Sequence, residues 1–175
     1  RQMVPVTAVS SVNDGRRGLA LGADAYGLKP VSREWLQAEL SRLTGREPMP
    51  EALIIDDDNV ARYVLKRLLS QVRCTVSETS TGMDGLRAAR LRRPDIIFLD
   101  LVMPDISGFE VLSQLKSDPQ TASIPVAVVT SKVLGPGERE ALEGRVLAVL
   151  PKDRTTGDDA LAVLQDTWVK AGLRP

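Results

Sequence analysis

The chain of 175 residues contains no histidine and a single cysteine, Cys74. The lack of histidine excludes imidazole metal sites, His-based catalytic triads and a phosphohistidine formed within this chain. One cysteine permits neither an internal disulfide nor a zinc site built from several thiolates. The segment Val72–Val76 is typical of the approach to a strand, so we expect Cys74 to act as a small buried apolar residue.

Aromatic residues and net charge are also scarce. Aromatics make up 3% of the chain, and 23 basic residues balance 23 acidic ones. A neutral chain has no long-range field to attract nucleic acid or anionic lipid, and few aromatics leave no platform for stacking bases. No apolar run approaches the roughly 20 residues of a membrane span, and the start lacks a signal-peptide pattern. The sequence therefore predicts a cytoplasmic protein without a nucleic-acid or membrane partner.

Short apolar runs rich in β-forming residues alternate with amphipathic helical segments from residue 51 to residue 172. This alternation predicts an α/β fold with an open parallel sheet. Apolar positions at three- and four-residue spacing place helices over Ala61–Val72, Met83–Ala89, Val111–Leu115 and Leu161–Trp168. The predicted strands are Ala52–Ile55, Thr75–Glu78, Ile96–Leu99, Ile124–Val129 and Leu147–Leu150.

The first 44 residues repeat part of this pattern. Pro5–Ser11 aligns with Pro125–Ser131, and Tyr26–Lys29 aligns with Val149–Lys152 after a three-residue insertion. An internal repeat of this kind indicates a second copy of the same structural unit. We therefore predict a partial copy (strand, helix, strand, helix) over residues 1–44, a linker over 45–50 and a complete unit over 51–172. The first residue is Arg rather than Met, which favours a piece of a longer chain.

Polar residues stand where the predicted strands of the complete unit end. Asp56, Asp57 and Asp58 follow its first strand, Asp100 its third, Thr130 and Ser131 its fourth, and Lys152 its fifth. The carboxyl ends of parallel strands share one edge of the sheet, where ligands bind. Clustered carboxylates repel one another unless a cation holds them, and an all-oxygen cluster suits Mg²⁺. A carboxylate, a lysine, a hydroxyl and Mg²⁺ together are the components of phosphoryl transfer.

This arrangement resembles the receiver domain of two-component response regulators. The resemblance spans residues 51–172 and rests on motifs that occur in the family's order: Leu53–Asn59 with Arg62, Asp95–Pro104 with Gly108–Glu110, Thr130–Ser131 and Lys152. It implies a flavodoxin-like, doubly wound sheet of five parallel strands in the order 2-1-3-4-5.

The resemblance also implies a role for each site residue. Asp100 would accept the phosphoryl group, and Asp57 and Asp100 would bind Mg²⁺ directly. Asp56 would act mainly through a metal-bound water, and the backbone carbonyl of Val102 would supply a further ligand. The Thr130 hydroxyl and the Lys152 ammonium would contact the phosphoryl group, whereas Asp58 is expected to cap the following helix.

Two positions depart from the family's pattern. Asp153 follows the lysine where the family has proline, and Val149 occupies the place of an aromatic that turns inward with the threonine. The partial copy keeps both family residues as Pro30 and Tyr26. We expect phosphorylation to reposition Thr130 and the loop that follows without an aromatic rotamer change. By resemblance, Val102 and Lys132 influence the lifetime of the phosphoryl group, and the apolar Val102 predicts a persistent one.

The expected partners are a histidine kinase or a histidine phosphotransfer protein that supplies phosphohistidine. A homodimer is expected through the partial copy or through the face formed by the fourth helix, fifth strand and fifth helix of the complete unit. The chain is expected to be a phosphoacceptor rather than an enzyme. Two alternatives remain at this point: an interaction module that is never phosphorylated, and a phosphatase of the haloacid dehalogenase type using Asp56 and Asp58.

Overall fold

The computed structural model describes residues 5–11, 22–45, 49–155 and 159–174. The chain divides into two compact units, Arg1–Pro48 and Met49–Pro175. The predicted first helix of the partial copy lies largely in residues 12–21 and is outside the described residues. The same holds for Val4, for 46–48 in the linker and for Asp158. No helix of the described residues is both long and apolar enough to span a bilayer.

The described residues of the N-terminal unit form two parallel strands and a helix. Strand β1 (Thr7–Ser10) pairs with β2 (Ala25–Leu28), and α1 (Arg33–Thr44) follows. The Ser32 hydroxyl caps α1 by accepting a hydrogen bond from the Trp35 N–H, and Gly45 ends the helix with a φ of 65°, which favours glycine. The peptide bond between Lys29 and Pro30 is cis.

The second unit is a five-stranded parallel sheet with helices on both faces. Its strands occur in the order β4-β3-β5-β6-β7, which is the predicted order 2-1-3-4-5 within this unit. The elements are β3 (Glu51–Ile55), α2 (Asn59–Leu69), β4 (Thr75–Thr79), α3 (Gly82–Arg92), β5 (Ile96–Leu99), α4 (Gly108–Ser117), β6 (Val126–Thr130), α5 (Pro136–Leu142), β7 (Ala148–Pro151) and α6 (Ala160–Lys170).

The observed elements confirm the five predicted strands and four predicted helices, with shifts of one or two residues at most strand ends. Strand β6 extends to Thr130 and β7 to Pro151. The resemblance implies a helix at the place of α5, but no residues were assigned to it, because its seven residues are too short for a clear apolar period. The sequence does carry a start signal there, since Pro136 occupies the first turn and the Glu138 carboxylate accepts a hydrogen bond from the Gly135 N–H.

Two apolar layers hold the helices against the sheet. Strand β5 is fully buried, with Ile97 and Leu99 in the layer under α3, α4 and α5, and Ile96 and Phe98 in the layer under α2 and α6. Because side chains alternate along a strand, one central strand supplies both layers. Trp168 of α6 is completely buried in the second layer.

The position of Cys74 corrects one expectation. Its side chain is half-buried rather than buried, beside the layer under α2 and α6. The thiol donates a hydrogen bond to the Leu69 carbonyl (3.4 Å), and burial raises the pKa of Cys74. Cys74 therefore lies at the edge of the apolar layer under α2 and α6. Its thiolate form is disfavoured at neutral pH.

The strand pairs β1–β2 and β6–β7 have the same register. Ala8 pairs with Tyr26 in the first, and Val128 pairs with Val149 in the second. The other three pairs of β1–β2 map in the same way when 120 is added to β1 numbers and 123 to β2 numbers. These offsets are those of the sequence repeat, so the two segments have the same backbone pairing.

Candidate functional site

Three carboxylates meet where β3 and β5 end. These strands are neighbours with Ile55 paired to Leu99, so the residues that follow them lie side by side. Asp56, Asp57 and Asp100 each offer one oxygen, and these oxygens all lie within 4.8 Å of one another. Asp56 and Asp100 are 4% and 3% exposed, whereas Asp57 faces solvent. The donor set is entirely oxygen, which fits a hard divalent cation such as Mg²⁺.

Lys152 neutralises part of this negative charge. Its Nζ lies 2.8 Å from Asp56 Oδ2 and 2.9 Å from Asp100 Oδ2. Burial by itself lowers the pKa of Lys152, but the hydrogen bonds with Asp56 and Asp100 outweigh burial, and the pKa is raised. The side chain is therefore an ammonium at neutral pH, in contact with two buried carboxylates.

The two buried carboxylates differ in their other contacts. Burial raises the pKa of Asp56, and this effect exceeds the lowering by Lys152 and by the Asp58 N–H, which donates to Asp56 Oδ1 (2.9 Å). Asp100 Oδ1 accepts a hydrogen bond from the Leu101 N–H (2.7 Å). A buried carboxylate whose negative charge is not balanced costs free energy, and a bound cation lowers that cost.

Asp58 and Arg62 order the backbone around the acidic residues. Asp58 caps α2, as expected, by accepting from the backbone N–H groups of Val60 (2.8 Å) and Ala61 (3.4 Å). The Arg62 guanidinium donates to the carbonyls of Asp56 (2.8 Å) and Asp57 (3.0 Å). The sequence motif included Arg62 without a role, and the structure shows it holding the loop that carries both carboxylates.

The loop after Asp100 is anchored at two points. The Asp105 carboxylate accepts from the N–H groups of Gly82 (3.1 Å) and Met83 (3.0 Å) at the start of α3. Gly108 donates its N–H to the Leu101 carbonyl (3.0 Å), and a Cβ at Gly108 would clash with the Asp100 carbonyl. Sequence reasoning missed Asp105 as an anchor, because nothing in its local sequence identifies the helix that it caps.

Val102 lies within the same loop with its side chain 54% exposed. This places residue 102 two positions after Asp100, between the two anchors at Leu101 and Asp105. The proposed role of Val102 concerns its backbone carbonyl and stays a prediction.

Thr130 ends β6 and is 2% exposed. Its hydroxyl accepts a hydrogen bond from the Lys132 N–H (3.2 Å). Thr130, Lys152 and Val149 all line one cavity of about 760 Å³ between α5 and β7. Thr130 and Lys152 therefore border the same space, next to the edge that carries the carboxylates.

The structure thus brings together Asp56, Asp57, Asp100 and Lys152 by direct distances, and places Thr130 beside Lys152 along one cavity wall. Asp58 is separate, because its carboxylate is engaged at the start of α2. The arrangement offers a buried carboxylate in contact with an ammonium, beside two further carboxylates, at one edge of a parallel sheet.

Comparison with known families accounts for this edge. The response regulator receiver domain family matches residues 52–163. The chain belongs to this family. Its members are signalling modules of two-component systems, and the observed sheet order and acidic edge agree with that membership. Asp58, the second acidic residue of the phosphatase alternative, is engaged in capping α2.

Two curated relatives illustrate the likeness. PilH of Pseudomonas aeruginosa is 38% identical over 84 residues, which cover 48% of this chain and 69% of PilH. The polar-differentiation response regulator DivK of Brucella anthropi is 33% identical over 105 residues, which cover 59% of this chain and 85% of DivK. The receiver relationship therefore extends over most of the length of both relatives.

A solved structure shares the fold. The Mn²⁺-bound form of response regulator Rcp1 superposes with a TM-score of 0.57 at 23% sequence identity, covering 68% of this chain and 91% of that chain. At this identity the likeness establishes the fold of the second unit.

Proposed function

We propose that this protein is a phosphoacceptor that takes a phosphoryl group onto Asp100 from a phosphohistidine on a histidine kinase or histidine phosphotransfer protein. The observation that carries the proposal is the position of Asp100. Its buried carboxylate lies 2.9 Å from the Lys152 ammonium and within 4.8 Å of Asp56 and Asp57. These 175 residues contain no histidine, so the phosphohistidine lies outside them.

The transfer is a single displacement at phosphorus. An Asp100 oxygen forms a bond to phosphorus while the bond between phosphorus and the donor imidazole nitrogen breaks. The electron pair of that bond stays on the imidazole, which takes up a proton and leaves neutral. The product is an acyl phosphate on Asp100, and hydrolysis by water returns the carboxylate and inorganic phosphate.

Asp56, Asp57, Asp100 and the Val102 carbonyl would hold Mg²⁺, with Asp56 acting mainly through water. The cation supplies charge neutralisation for the incoming phosphoryl oxygens. The all-oxygen donor set, the raised pKa of buried Asp56 and the Mn²⁺-bound form of Rcp1 support this assignment.

Lys152 and Thr130 would bind the transferred group. Lys152 already contacts Asp100 Oδ2, so its ammonium is placed to pair with a phosphoryl oxygen on the same carboxylate. The Thr130 hydroxyl accepts from the Lys132 N–H, which leaves its own O–H to donate to another phosphoryl oxygen.

The test is labelling of the full chain with radioactive acetyl phosphate and Mg²⁺. We expect one acid-stable, base-labile label in the wild type and none in Asp100→Asn. Asp166→Asn removes an exposed carboxylate of α6 and is the matched control, which should label like the wild type. Asp57→Asn should lose the Mg²⁺ dependence together with most of the label.

Labelling of Asp100→Asn at the wild-type rate would contradict the assignment of the acceptor. A folded wild-type chain that binds Mg²⁺ but takes no label would favour the alternative, a receiver-like interaction or dimerisation module that acts without phosphorylation.

We further propose that the N-terminal unit is the second half of another receiver and that it contributes to a homodimer. The shared register of β1–β2 and β6–β7 supports the first part. Exposed apolar side chains support the second: Val6, Leu28 and Leu40 are 53%, 44% and 48% exposed. Strand β6 pairs with β5 on one edge and with β7 on the other. In the N-terminal unit, a second copy of the chain would cover the edge of β1 that corresponds to the β5 side of β6.

Light scattering across a concentration series tests this association. The wild type should reach the mass of a dimer, and Leu40→Lys should shift it towards monomer. Leu91→Lys, at an 82% exposed apolar residue of α3, is the control and should leave the mass unchanged. A monomer at every concentration would overturn the dimer.

A further inference from the structure

Lys132 links three elements around the loop that follows β6. Its Nζ lies 2.5 Å from Glu138 Oε1 and 5.7 Å from the centroid of the Phe109 ring. Glu138 belongs to α5 and Phe109 to α4. An ammonium over an aromatic face and beside a carboxylate is held by two electrostatic contacts at once. We call Lys132, Glu138 and Phe109 the loop clamp.

The clamp reaches the site through the backbone of Lys132. The Lys132 N–H donates to the Thr130 hydroxyl, so the position of residue 132 determines where that oxygen is held. Thr130 itself is buried, and its own side chain has little freedom to compensate. Displacement of Lys132 therefore displaces or releases the hydroxyl next to the carboxylate edge.

The clamp also controls the start of α5. The Glu138 carboxylate uses Oε1 for Lys132 and Oε2 for the Gly135 N–H (3.1 Å). Lys132 and then the Gly135 N–H lower the pKa of Glu138, so the clamp carboxylate is ionised at neutral pH. One side chain thus ties both ends of the loop 132–135 to the first turn of α5.

A cavity beside the loop 132–135 makes the side-chain contacts of Lys132 more important for holding the loop. The cavity of about 760 Å³ is lined by Thr130, Lys132, Leu134 and Val149. Val149 of β7 is 39% exposed, so the cavity beside the loop is not filled by an aromatic ring from this position. Since packing around the loop is incomplete, the contacts of Lys132 with Glu138 and Phe109 and of the Leu134 carbonyl with Arg139 (3.2 Å) hold the loop in place.

We propose that Glu138 is a positioning residue: by holding Lys132 it places the Thr130 hydroxyl for the phosphoryl group on Asp100, and it transmits movement of Thr130 to α5. This inference rests on the proposed phosphoacceptor function. The clamp is one of two side-chain links between the loop 132–135 and α5 among the described residues, since the Arg139 guanidinium also donates to the Leu134 carbonyl (3.2 Å).

The first arm of the test needs no phosphodonor. Backbone amide exchange is measured in the full chain for the wild type, Glu138→Gln, Lys132→Met and Asp166→Asn, which breaks an exposed ion pair of α6. We expect exchange at residues 132–135 to rise about tenfold in the two clamp variants, because opening of a loop follows its local stability. Asp166→Asn should match the wild type.

The second arm measures Asp100 labelling by acetyl phosphate together with Mg²⁺ affinity by calorimetry. The initial labelling rate should fall about threefold to tenfold in the clamp variants, since a loosened hydroxyl contributes less to positioning. Mg²⁺ affinity should not change, because no clamp residue belongs to the acidic cluster. The conservative variant Lys132→Arg keeps a cation for both Glu138 and Phe109 and should keep at least half of the wild-type rate.

The outcomes separate the two proposals. No label in any protein contradicts the phosphoacceptor function, while unchanged exchange at 132–135 overturns the clamp whether or not Asp100 is labelled. Faster exchange with an unchanged labelling rate overturns the positioning role. Faster exchange and slower labelling in the two clamp variants, together with a largely retained rate in Lys132→Arg, support it.

Discussion

The strand pairs β1–β2 and β6–β7 share one register and differ in almost everything around them. Residues 126–130 of β6 are all buried, whereas β1 includes Val9, which is 36% exposed. Strand β6 has a neighbour on each side, β5 and β7, whereas among the described residues β1 has one neighbour, β2. Lys152 after β7 contacts two carboxylates, and neither β1 nor β2 is followed directly by an acidic residue.

This difference separates two levels of structure. The pairing of two parallel strands depends on local apolar pattern and chain length, and both strand pairs have it. The acidic edge is built from carboxylates that follow β3 and β5 of the second unit. Backbone pairing is therefore common to the two segments, whereas the acidic cluster depends on strands that are not present among the described residues of the N-terminal unit.

The largest expected effect comes from Gly108→Ala in the complete unit. The new Cβ would clash with the Asp100 carbonyl and lie 2.6 Å from Leu101 Cα, both of which are backbone atoms. We expect the free energy of unfolding to fall by about 3 kcal/mol. Urea unfolding followed by Trp168 fluorescence in a Trp35→Phe background measures it. Gly137→Ala, where nothing lies within 4 Å, is the control and should change stability by less than about 1 kcal/mol.

A smaller and confined effect is expected from Gly27→Ala in the N-terminal unit. Its Cβ would lie 2.5 Å from the end of the Trp35 ring, which must move aside. We expect that unit to lose about 1 kcal/mol, seen in Trp35 fluorescence with Trp168→Phe. Alkylation of Cys74 reports opening of the other unit and should remain slow. Faster alkylation of Cys74 in Gly27→Ala would show that the units unfold together.

The acid dependence of the complete unit should weaken in Asp118→Asn. The Gln120 N–H and then Arg90 lower the pKa of Asp118. A carboxylate whose folded pKa is depressed stabilises the protein above its unfolded pKa, and this stabilisation is lost as pH falls through the folded value. Urea midpoints between about pH 5 and pH 3 should therefore decline less steeply in the variant than in the wild type. Equal slopes would exclude this contribution.

The smallest effect is expected from Val149→Tyr, which gives β7 the residue found at the corresponding position of β2, Tyr26. Val149 borders a cavity large enough for a ring, so we expect a stability change within about 0.5 kcal/mol. The same unfolding measurement checks it. A loss above about 2 kcal/mol would mean that the cavity does not accept an aromatic from β7.

Much of the fold was predictable because the apolar patterns of the complete unit are regular. Ile96–Leu99 was predicted with its observed bounds, since a run of four apolar residues flanked by Asp95 and Asp100 admits one buried strand. The bounds of helix α5 were not predicted, because its seven residues, one of them glycine, give no apolar period. Cys74 was predicted to be buried, but the edge of a layer exposes part of it.

The candidate site likewise contains some residues that could be predicted from the sequence and others that could not. Asp56, Asp57, Asp100 and Lys152 were selected because they follow strands, and the parallel sheet brings those strand ends together. Asp105 and Glu138 were not selected. Their partners, Gly82 and Lys132, are reached through the packing of loops against helices, which leaves no period or motif in the sequence.

Residue type and spacing along the chain were enough to predict the five strands of the second unit, the acidic and lysine residues at their ends and the repeat in the N-terminal strands. These properties are present before the chain folds, whereas the strand order was an implication of the resemblance to receiver domains. The packed fold was needed to show that Lys152 bridges Asp56 and Asp100, that Arg62 and Asp105 hold the acidic loops, and that Lys132 meets Glu138 and Phe109. Distances between residues far apart in sequence arise when helices pack on the sheet, and no local pattern specifies them.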